Sequence, residues 1–149
     1  MTEPPAWLLL LLGSAPDRRP MDVARIVLGM FLIDQQVLEP TGQFYCFDAF
    51  ESGPLSIEVH RDLQWLRVGQ LVEKWPPSSA DNATSYTLTD AGRDAWTTIA
   101  LRKTPEQLTA IQDIAAYVTS HRLEEIRDHI WREYPEYAVP AEPLAPTGD

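Results

Sequence analysis

The sequence predicts a mainly helical α+β fold, and three stretches carry that prediction. Residues 55–68 set Leu55, Val59, Leu63 and Leu66 at spacings of four, four and three, one apolar stripe of an α-helix. Residues 71–75 and 85–88 are rich in Val, Trp, Tyr and Leu and flank a polar, proline-bearing loop, as two antiparallel strands would. Thr89 then precedes Asp90 and Gly92, a helix N-cap followed by a negative charge where the helix dipole favours one. Helix, strand, loop, strand, helix is the second half of a winged helix-turn-helix with a small antiparallel β-wing. The rest of the chain supplies the first half and a C-terminal helical extension.

With 149 residues, 44% of them hydrophobic and five tryptophans, the chain can build one core. The expected organisation is a winged-helix domain over residues 1–103, a helical pair over 104–137 packed on it, and a disordered proline-rich tail over 138–149. The apolar run from Trp7 to Leu12 has no basic leader and is far short of the ~20 residues of a membrane span, so it predicts a buried first helix. A loop with Arg18 and Arg19 leads to a helix over 21–36, whose Val23, Ile26, Val27, Met30, Phe31 and Ile33 form a broad apolar face. Phe44, Tyr45, Cys46 and Phe47 are aromatic enough to predict a third strand of the wing. Ser56 is placed to cap the next helix with its hydroxyl, and Gly69 to end it in a left-handed conformation. Gly92 suggests a close helix-to-strand approach.

After a helix over 89–101, Thr104, Pro105 and Gln107 make a capping-box signature. The helix that follows carries Leu108, Ile111, Ala115 and Val118 on one face. A break near Thr119 and Ser120 separates it from a last helix with Leu123, Ile126, Ile130 and Tyr134, stopped by Pro135.

Catalytic signals are lacking. Cys46 is the one cysteine, so a single chain has neither a disulfide nor a cysteine-based zinc site, which fits a reducing cytoplasm. In an aromatic strand its thiol would be inert filler. His121, Glu125 and His129 follow one another at four-residue steps, a spacing that metal ligands use but that a solvated charged face equally explains. Glu124 and Glu125 are adjacent and diverge. No HExxH, GxSxG or glycine-rich phosphate loop is present. The expectation is no catalytic residue, no metal and no cofactor.

Interest therefore falls on the helix over 56–68. With its apolar stripe inward, Ile57, His60, Arg61, Gln64, Trp65 and Val68 point outward. Arg61 and Gln64 suit guanine and adenine edges in a major groove, while Ile57, Trp65 and Val68 make the same face half apolar. Packing of Ile57 and Trp65 under the C-terminal helices would explain the letters without any partner. Charge weighs against DNA. Residues 1–52 carry three basic and seven acidic side chains, 53–103 six of each, and 104–149 three and nine, for a total of −10. A neutral reading head on an acidic body is disadvantaged at phosphates unless a dimer gathers the supporting Arg18, Arg19, Arg25 and Arg67 beside Arg61.

Gly53-Pro54 with Ser56, Leu66-x-x-Gly69-x-Leu71-Val72, Tyr86-Thr87-Leu88-Thr89-x-x-Gly92 and the closing Trp131-Arg132-Glu133-Tyr134-Pro135-Glu136-Tyr137 together resemble bacterial winged-helix regulators. The last of these is similar to the YwgA-type winged-helix proteins and, more distantly, to the Panacea (SocA-like) antitoxin domain. The antitoxin resemblance implies binding to a partner protein, and the wider class implies DNA binding. The resulting expectation is a non-catalytic cytoplasmic module that binds a protein partner or another copy of itself and no membrane. The alternative is a DNA-binding transcriptional regulator that reads the major groove with the helix over 56–68.

Overall fold

The computed structural model describes residues 3–38, 45–51, 53–76 and 85–138. Its centre is α1 (Glu3–Gly13), whose Leu8, Leu9, Leu10 and Leu11 are fully buried. A helix that is apolar on every side must be covered on every side, and α1 is packed by helices α2 (Val23–Gln36), α3 (Ile57–Val68), α4 (Asp90–Ala100) and α5 (Pro105–Ser120) and by strand β3 (Ser85–Leu88). Gly13 allows a close approach of α4, because a Cβ there would overlap the Trp96 indole. Helix α6 (Leu123–Glu133) lies against α2 and continues into a 3₁₀ turn (Pro135–Tyr137).

Among the described residues the protein is thus mainly helical, with one small antiparallel sheet. Strand β2 (Val72–Trp75) pairs with β3, Val72 opposite Leu88. The third strand is not the aromatic segment expected for it. It is β1 (Met21–Asp22), cut from the start of the expected helix over 21–36, and it pairs with the other edge of β3 to give the order β1-β3-β2. Tyr45, Cys46 and Phe47 form no strand, and Phe44 lies outside the described residues. Their aromatic character is used sideways instead. Phe31 of α2 meets Phe47, Tyr134 and Tyr137 edge-to-face, at centroid distances of 5.3, 5.4 and 4.8 Å. The closing Tyr-Pro-Glu-Tyr segment thereby clasps α2.

Helix ends follow local chemistry, with two departures. The Thr104 hydroxyl accepts from the Gln107 N–H and the Gln107 side chain accepts from the Thr104 N–H, both at 3.1 Å, which completes the capping box. Thr89 accepts from the Gly92 N–H at 3.0 Å. Helix α3 ends in a Schellman turn, in which Leu71 N–H reaches the Leu66 carbonyl and Gln70 N–H that of Arg67. The left-handed residue in that turn is Gln70 (φ 62°), not Gly69, whose φ is −77°. Ser56 departs too, since its hydroxyl makes no cap bond. The C-terminus of α5 is held by two arginines: Arg19 donates to the Thr119 carbonyl at 2.8 Å, and Arg25 to those of Val118 at 2.8 Å and His121 at 3.1 Å. Such cations satisfy the carbonyls that a helix end leaves open.

The expected disordered tail, apart from Ala138, and the loop over 77–84 lie outside the described residues. No described helix is long and apolar enough to cross a membrane.

Gly92 makes the sharpest test of this packing. A Cβ there would collide with the Leu71 carbonyl, a backbone atom that cannot swing aside. Gly92→Ala is expected to lose about 2–3 kcal/mol in urea unfolding, whereas a loss below about 0.5 kcal/mol would contradict the helix-to-strand approach.

Candidate functional site

Helix α3 covers α1 with Val59, Leu63 and Leu66, all fully buried or nearly so. Its other side is open. Ile57 is 82% exposed, Trp65 54% and Val68 82%, and His60, Arg61 and Gln64 are exposed between them. The six sequence-predicted contact residues therefore lie together on one helix face. Packing of Ile57 and Trp65 beneath the C-terminal helices, the partner-free explanation, does not occur. In angular order Ile57, Arg61, Gln64 and Val68 run down the middle of the face, with His60 and Trp65 on opposite flanks.

Neighbouring contacts hold this face at a fixed height above the core. Tyr45 donates to Asp62 Oδ2 at 2.7 Å, tying the segment before α3 to its middle. Glu58 Oε1 accepts from the Ser56 hydroxyl at 2.9 Å and from the Cys46 N–H at 3.3 Å. That carboxylate captures the hydroxyl expected to cap the helix, and the Ser56 bond holds the Glu58 pKa below its usual value. Asp48 and Leu55 exchange both backbone bonds at 2.9 Å and close the loop leading into α3. Cys46 is exposed, outside any strand, and so is not the buried filler expected. Sequence reasoning missed the roles of Tyr45, Asp62 and Glu58. The only local sign of them was a carboxylate two residues after a candidate cap.

The supporting arginines are dispersed. Arg67 is on α3, where it donates to Gln64 Oε1 at 3.1 Å while Gln64 donates to the Tyr86 hydroxyl at 3.4 Å. Arg19 and Arg25 are spent on the end of α5. Arg18 stands near Arg93 of α4, whose pKa is lowered by burial and then by that like charge. An open cleft of about 620 Å³ adjoins the C-terminal end of α3, lined by Arg67, Gln70, Lys74 and the start of α4, with Glu73 and Asp90 balancing the two cations. It offers a phosphate no excess positive charge.

His121 and His129 both lie against the Tyr117 ring, at centroid distances of 4.4 and 5.5 Å. Among the described residues no three His, Cys, Asp or Glu side chains converge as metal ligands would. Comparison with family models and with curated proteins gives no match for this chain.

The Tyr45–Asp62 bond has a pH signature. Burial, then the Asp62 bond, raises the Tyr45 pKa well above its usual value. The folded chain keeps this proton where the unfolded chain, at about pH 10, gives it up. Stability is thus complete below about pH 10 and falls as pH rises beyond it. Tyr45→Phe is expected to cost about 1 kcal/mol at pH 7 and to flatten that alkaline fall in urea titrations. An equally steep fall in the variant would show that Tyr45 is not the group responsible.

Proposed function

We propose that this chain is a non-catalytic winged-helix module of the cytoplasm that binds a protein partner through the outer face of α3, as an adaptor or antitoxin does. One observation carries the proposal: Ile57, Trp65 and Val68 lie exposed on a single face of a helix whose other face is locked into the core. Water contact with that much apolar surface is a standing cost that a partner relieves, and an aromatic with flanking aliphatics is the usual composition of a binding hot spot. The order α1-β1-α2-α3-β2-β3, with β1 beside β3, supports the winged-helix reading.

A DNA-reading role for the same helix has Arg61, Gln64 and Arg67 in its favour. Against it stand the net charge of −10, the balanced cleft, and the use of Arg19 and Arg25 elsewhere.

A photo-reactive side chain at position 68 is expected to give a discrete covalent protein adduct in cells that make this protein. The same probe at Glu106, exposed on α5, is expected to give none. Trp65→Ala should weaken the association by about 2 kcal/mol. Equal labelling at both positions, or none at 68, contradicts the reading. Salt-sensitive binding to duplex DNA that Arg61→Ala abolishes would put the DNA role first.

A further inference from the structure

We propose that the occupant of this face is a second copy of the chain, with the two α3 helices packed antiparallel about a two-fold axis that passes between Asp62 and Leu63. The proposal rests on the protein-binding reading of α3 and names the partner.

The outer face of α3 is self-complementary. A two-fold interface requires that whatever residue i meets, it is met by in return. Helix α3 spans Ile57–Val68, so reversal about its midpoint exchanges Ile57 with Val68 and Arg61 with Gln64. These four residues form the central row of the outer face. In the antiparallel pair Ile57 meets the partner's Val68 at both ends, so the two most exposed apolar side chains of α3 cover one another. At the middle Arg61 meets the partner's Gln64, whose Oε1 accepts one bond from Arg67 and has a second lone pair to offer. Trp65 stands on the same flank as Arg61, and the two-fold axis brings it beside the partner's Arg61, where a guanidinium can lie over the indole.

Charge fits the same arrangement. Antiparallel packing also sets the dipole-positive end of one α3 beside the dipole-negative end of the other. Glu58 and Asp62 balance Arg61 and Arg67, leaving α3 neutral in a chain of net charge −10. The patch that would approach a like-charged copy is thus one that does not repel it. A parallel pair would stack Ile57 on Ile57 and Arg61 on Arg61, losing both the cation–π contact and the complementary ends.

A helix of twelve residues is about 18 Å long, so the contact is smaller than a standard interface. A dissociation constant of tens to hundreds of micromolar is expected. The test is sedimentation equilibrium of the full chain up to about 1 mM, with Ile57→Lys and Val68→Glu. Each variant alone should dimerise at least about ten-fold more weakly. An equimolar mixture should recover the dimer, because I57K of one chain then faces V68E of the other. Oxidative footprinting of the wild type needs no variant: Trp65 should lose labelling as the dimer forms, while Leu101, exposed at the end of α4, does not. A monomer at about 1 mM, a mixture without recovery, or unchanged Trp65 labelling in the dimer overturns the proposal. A different protein captured at position 68 would then leave the protein-binding reading standing, and no adduct there, either in cells or in the concentrated purified chain, would remove both.

Discussion

Everything in this fold answers to α1. Five consecutive leucines with no polar face admit no solvent-exposed side, so the helix has to sit at the centre and other elements must surround it. Each surrounding element spends one apolar face on that duty. For α3 the duty falls to Val59, Leu63 and Leu66, and helical geometry then dictates which residues are left outside. The candidate site is the remainder of that division. Its unusual feature is that the remainder is half apolar.

The anchoring of the other elements also bears on function. Arg19 and Arg25 look, in a linear sequence, like cations available to nucleic acid. In the structure they close the C-terminal end of α5, where their hydrogen bonds to carbonyls compete directly with any role at a phosphate. Arg67 is turned onto Gln64. What remains on α3 is a neutral mixture of charges around apolar ends, which is the ground for proposing a protein partner over a polyanion.

Much of this was legible from sequence because it obeys short periods. The apolar stripe of α3, the two strands after it, the Thr104 capping box and the buried first helix all follow from spacing that recurs within a few residues. The losses have definite causes. A two-residue strand such as Met21–Asp22 contains no alternation to detect, and it exists because β3 offers an open edge. Tyr45 and Phe47 have strand-like composition, but one is buried where it bonds Asp62 and the other is half-buried against Phe31, both partners distant in sequence. Ser56 has the right side chain for a cap and loses it to Glu58, two residues on. For α3 the pattern marked the outward residues, yet whether another element covers them is a tertiary fact that no local period contains.

On this reading the apolar residues of the outer face of α3 take no part in holding the fold together. Urea unfolding of dilute protein tests this, comparing Trp65→Ala with Leu63→Ala, two residues apart on opposite faces of α3. Trp65→Ala is expected to stay within about 0.5 kcal/mol of wild type while Leu63→Ala loses about 3 kcal/mol. Equal losses from the two would mean that Trp65 belongs to the core, and the binding face would not exist.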